Sequence, residues 1–194
     1  MPARINHHKN IIFSLAFLVW FSSTGAAYPE TVQPRPWIML ETKHTIIRFL
    51  RAEDLDTFNH NMDFDRESWG LRQLFADKTP DSLHGEISEK TDNLYERVQE
   101  ILDMRKKSPK VFINLYPNRK ELDQAYYHLY QSKNNIRAWY VFDHNTIYVN
   151  VEDVHEGMLA HEMAHAIIDH FLLVRPPSAS AEILARYVDA HIHE

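Results

Sequence analysis

The stretch MLAHEMAHAIIDHF, Met158 to Phe171, holds His161, Glu162 and His165 in the spacing HExxH. Four residues apart on a helix, two side chains differ by about 40° around the axis and one turn along it, so both imidazoles can reach one ion. Glu162, one position after the first histidine, does not share that geometry but can serve as general base to a metal-bound water. In a chain with 13 histidines the motif alone decides little. What makes the segment a helix is its apolar flank: Ala160, Ala164, Ile167, Ile168 and Phe171 gather on one side of the helical wheel, beside the histidine face. Glu152 and Asp153 are the acidic residues expected near its N-terminal end.

A catalytic zinc site has three protein ligands and one open position, so a third ligand is expected downstream. His170 is near, but on the wheel it points about 160° away from the midpoint of the two histidines. The metzincin extension HExxHxxGxxH is broken by Ile168 at the glycine position and Phe171 at the third histidine position. Glu182 is the other choice. It lies in SASAEILARYVDAH, an apolar-periodic segment that follows Pro176 and Pro177 and has Ser178 or Ser180 as a cap, so a second helix returns beside the first.

HEMAH followed, after a short loop containing proline, by AEILARYV resembles the gluzincin zinc peptidases, in particular the small peptidase-MA-like proteins. KVFINLYPNRKEL and the paired strands RAWYVF and TIYVNV resemble the sheet that precedes the helix in that family, so the likeness spans Trp37 to His193. Ile183 departs from the family's glycine after the glutamate, and the family's tryptophan is absent. The resemblance implies an α+β, zincin-like fold in which a small mixed or antiparallel sheet packs on the HExxH helix and on a glutamate-bearing helix. It implies one Zn2+ per chain on His161, His165 and Glu182, with Glu162 as the catalytic base. An edge strand at Arg137 to Tyr140 would pair with an extended peptide through Ala138 and Trp139. The activity implied is peptide hydrolysis by a metal-bound water that Glu162 activates.

Around the site, Asp189 and Arg186 fall on the same side of the second helix as Glu182 and are the residues expected to steady the ligands, with Asp169 a further choice. Tyr140, Tyr148, His144, His155 and Tyr187 all remain open as oxyanion donors.

Met1 to Ala27 has the anatomy of a signal peptide: Arg4, His7, His8 and Lys9, an apolar run from Ile11 to Phe21, then small residues before Tyr28. Export to a periplasm or the outside follows as an expectation. The absence of cysteine removes disulfides, thiolate ligands, cysteine nucleophiles and a lipoprotein anchor. Residues 28–194 suit one domain, with 44% hydrophobic residues in the chain for a core. A net charge of -6 with dispersed basic residues gives no patch for nucleic acid or an anionic membrane. The partner expected is a peptide or protein substrate. A zinc-binding module with little hydrolytic activity is the alternative, since no C-terminal subdomain is evident before Glu194.

The remaining pattern is mixed. KHTIIRFL, Lys43 to Leu50, alternates as a strand, and a short helix follows over Ala52 to Asn61. Asn61 to Pro80 is polar and irregular. Ser82 to Lys107 repeats Ile87, Leu94, Val98, Ile101 and Leu102 at helical spacing and ends in Arg105, Lys106 and Lys107. Lys110 to Tyr116 is a central strand, Asn118 and Glu121 cap a helix to Tyr130, and a hairpin turns at Asp143 to Asn145.

Overall fold

The computed structural model describes residues 36–62 and 82–194; the signal-peptide stretch, and the stretch read as irregular apart from Asn61 and Met62, lie outside them. The described elements are β1 (Ile38–Glu41), β2 (Thr45–Phe49), α1 (Ala52–Asn61), α2 (Leu83–Ile101), β3 (Val111–Tyr116), α3 (Arg119–Tyr130), β4 (Ala138–Val141), β5 (Thr146–Asn150), α4 (Glu156–Phe171) and α5 (Ser178–His191). The protein is mixed α+β. Its strands form one five-stranded sheet in the order β1-β2-β3-β5-β4. The inner pairs β2 with β3 and β3 with β5 are parallel, and the outer strands β1 and β4 pair antiparallel to their neighbours. Parallel neighbours need a crossover, and the intervening helices provide it.

Alternation sorts the two faces. Ile47, Ile113, Ile147 and Tyr140 lie opposite one another on one face, and Arg48, Asn114, Tyr148 and Trp139 on the other. The first face is closed by α1, α2 and α4 in the main core, where Leu55, Phe58, Leu94, Val98, Leu159, Ala160 and Met163 are all buried. The second is covered by α3, whose Leu122 packs with Trp139 and Tyr148 in a smaller cluster. The Trp139 indole stacks on Tyr148 at 4.9 Å and meets Tyr126 edge-on at 5.2 Å, so these rings pack on one another.

Several ends differ from the sequence reading. α2 stops at Ile101 rather than Lys107: Asp103 takes a left-handed φ of 52° and the Met104 N–H closes back on the Gln99 carbonyl, so the basic run follows the helix. β1 has no counterpart in the sequence pattern, since Ile38 and Met39 are exposed and carry no alternation. The turn between β1 and β2 is fixed from α2, whose Asp92 accepts from the backbone N–H of Lys43 and His44 and from the Thr42 hydroxyl. The Asn118 cap on Glu121 forms as read. Among the described residues no helix is long and apolar enough to cross a membrane.

Candidate metal centre

α4 is a core helix with one working face. Ala160, Ala164, Ile167 and Ile168 are buried, so the apolar flank is occupied by the core, while His161 and His165 stay partly open one turn apart. Its start is capped by His155, whose Nδ1 accepts from the Met158 N–H at 3.3 Å, with Glu152 and Asp153 just ahead of the first turn. Asp153 accepts instead from the Asn150 amide, which holds it in the turn after β5. The end of α4 is pinned to the hairpin: His170 Nε2 lies 2.9 Å from Asn145 Oδ1, where it cannot reach the other histidines.

α5 returns beside α4, as the Pro176–Pro177 break requires. Pro177 itself occupies the cap position and neither serine caps the helix. Glu182, one turn in, faces the histidine pair. Its Oε2 is 3.6 Å from His161 Nε2 and 3.5 Å from His165 Nε2, and the two Nε2 atoms are 3.3 Å apart. Those three residues form a cluster able to hold a metal ion. Zinc–nitrogen and zinc–oxygen bonds of about 2.0–2.1 Å at tetrahedral angles require donors about 3.3–3.4 Å apart, so the triangle already has close to the right size. Two imidazoles and a carboxylate are also a donor set of catalytic zinc, which leaves one position for water.

Electrostatics agree with that use. Burial, reinforced by the neighbouring His161, holds His165 below the ordinary imidazole range and favours the neutral ligand form. Burial pulls Glu182 upward, but the hydrogen bond from Arg186 and the adjacent histidines outweigh it and leave the carboxyl below its usual value. Arg186 Nε donates to Glu182 Oε1 at 2.8 Å, so one carboxylate oxygen is fixed and the other is left for the histidines. Asp189, expected to steady the ligands, is placed against the turn of α4 that precedes His161. Seven residues after Glu182 is two turns, about 10 Å, and this carries it past the ligands to the first turn of α4. There its Oδ1 is 2.5 Å from where a Cβ on Gly157 would stand.

Glu162 is 8% exposed. Burial pushes its carboxyl up to about 8, with the Tyr140 backbone N–H pulling the other way and the Glu182 charge adding to the rise. A bound dication would draw it down again.

The site opens into a cleft of about 530 Å³ lined by Glu162, the three donors, Ala138, Trp139 and Tyr140 of β4, and Asp169, Arg175 and Ser178. β4 is an edge strand, and its cleft side borders α4. Trp139 turns its indole to the far face, so here the strand rather than the ring meets the cleft. Of the residues left open as oxyanion donors, Tyr140 alone lines the cleft. Its hydroxyl is directed to Asn145 Oδ1 at 3.3 Å. His155 is committed to the cap, Tyr148 to the aromatic cluster, and Tyr187 stacks on His191. His144 lies near the Tyr148 hydroxyl. Arg175 escaped the sequence reading; a single basic residue before two prolines is its only signal. No family model, curated protein or solved structure matches the chain.

Proposed function

We propose that the protein is an exported zinc-dependent peptidase of the gluzincin type, with His161, His165 and Glu182 as ligands and Glu162 as base. The observation that carries this reading is the donor triangle, 3.3 to 3.6 Å on a side, beside a buried carboxylate and an open edge strand. The leader anatomy of residues 1–27 supports export. A zinc ion held there would supply Lewis acidity, polarising a peptide carbonyl and acidifying a water.

The chain's own residues do the rest. An extended peptide adds to the outer edge of β4, which has no strand partner among the described residues, and its backbone then runs along the cleft next to the donors. Glu162 takes a proton from the attacking water as the carbon–oxygen bond forms. When the carbon–nitrogen bond breaks, the same carboxyl returns that proton to the leaving amine. Burial of Glu162 shields the proton being carried from bulk water, and a bound dication would offset the rise in its pKa so that the carboxylate is free to accept.

Glu162→Gln tests the assignment. The amide keeps the size of the side chain and leaves the three donors intact, but cannot accept the proton. Zinc content should stay at one per chain, while cleavage of an unfolded protein such as casein falls by at least about 10²-fold. Equal cleavage by wild type and variant would remove Glu162 from the role of base. No cleavage by either, at full zinc, would favour a zinc-binding module.

A further inference from the structure

Arg175 stands in the loop between α4 and α5 and lines the same cleft as the donors. Its guanidinium is held on two sides. Nε donates to Asp169 Oδ1 at 3.2 Å, and the guanidinium carbon lies 4.8 Å from the centre of the Phe142 ring. The Asp169 side chain is only 4% exposed, whereas that of Arg175 is 60% exposed, so a buried carboxylate anchors a cation that faces solvent and cleft. Asp169 follows His165 by one helical turn, and side chains so related are neighbours. Phe142 follows directly on β4. The guanidinium is therefore held near the end of the edge strand, beside a carboxylate one helical turn beyond His165.

The other charged groups of the cleft are already engaged. Glu182 has Arg186 and the histidines, and Asp169 has Arg175. Only the two terminal nitrogens of Arg175 have no partner among the described residues, and they form the planar fork that matches a carboxylate.

We propose that Arg175 is a specificity residue that binds a carboxylate of the peptide substrate, so that the cleft selects acidic peptides. This rests on the peptidase reading and deepens it. The carboxylate can come from an Asp or Glu side chain or from a free C-terminus, and the same fork serves both.

Binding, rather than turnover, tests it. Zinc-loaded protein is titrated with fluorescent unstructured nonapeptides that differ by Glu or Gln at each position in turn, each with a free or an amidated C-terminus. At least one carboxylate-bearing peptide should bind at least about tenfold more tightly than its amide counterpart, the difference shrinking in high salt. Arg175→Gln should erase the difference while leaving the Kd of the amide peptides and the zinc content near wild type, although loss of the Asp169 partner lowers the melting temperature. Arg175→Lys should restore only part, because an ammonium lacks the fork. A preference for Glu at an internal position identifies a side-chain carboxylate, and a preference for the free acid identifies the C-terminus. Equal affinity for every acid and amide pair, or a preference that survives Arg175→Gln, would overturn the proposal. Absence of cleavage in the same samples would count against the peptidase reading alone.

Discussion

At the scale of single residues, the site depends on three donors held from two helices. His161→Ala and His165→Ala each leave two donors, and each should abolish the tight zinc of the wild type, measured by metal analysis after dialysis against a mild chelator. Retention of one tight zinc in either variant would refute the metal assignment. Glu182→Ala should weaken zinc by at least about tenfold, since loss of a ligand cannot cost less than loss of a group that merely orients one. Arg186→Gln probes that lesser effect: with Oε1 released, Glu182 gains rotamers, and zinc should weaken without being lost. Should Arg186→Gln cost more than Glu182→Ala, the order of dependence drawn here is wrong. His161, Glu162 and His165 were legible because helical spacing alone converts their order into a common face. Glu182 was legible as a residue but not as a distance, since nothing local fixes how far a second helix lies from the first.

At the scale of elements, sequence read best where pattern and packing coincide. β2 and β3 alternate or run apolar because both lie inside the sheet, and Leu94 and Val98 of α2 repeat at helical spacing because one face meets the core. β1 was missed for the opposite reason: an edge strand with Ile38 and Met39 in solvent shows no burial pattern. The strand order was equally hidden, because pairing of β3 with both β2 and β5 is decided by where the crossover helices pack. The contact of α5 with the start of α4 yields a prediction of its own. Gly157 is a poor helix former, yet a Cβ there would meet Asp189 Oδ1 at 2.5 Å. Asp189 also places a negative charge at a helix N-terminus, which is favourable. Gly157→Ala should thus add about 0.5–1 kcal/mol of stability when Asp189 is already Ala, through helix propensity, and clearly less when Asp189 is present. Urea denaturation of the four proteins measures the difference. Gains equal within about 0.3 kcal/mol in the two backgrounds would mean the two residues do not interact.

For the whole molecule, the donors tie α4 to α5, so metal and stability are linked and pH acts on both. Without an ion, two buried groups pull in opposite directions. His165 is held below the ordinary imidazole value of 6.5, so its contribution is present above that pH and fades as pH falls through the depressed range. Glu162 is raised from 4.5 to about 8, so the folded chain keeps a proton that the unfolded chain gives up; its contribution is complete below 4.5 and is lost as pH climbs through 8. Between pH 6.5 and 8 only the second still changes, and chelated protein should lose stability as pH rises, by at most about 1.4 kcal/mol per pH unit. Zinc reverses this. Its charge lowers the pKa of Glu162 and so removes the cause of the decline. Melting temperatures taken from pH 6.5 to 8 with chelator and with excess zinc should therefore diverge upward in pH. Groups far from the site contribute equally to both curves and cancel in their difference. Glu162→Gln, which has no proton to lose, should flatten the chelated curve while leaving the zinc-loaded one in place. Parallel curves for the wild type would show that the ion does not bind beside this carboxyl.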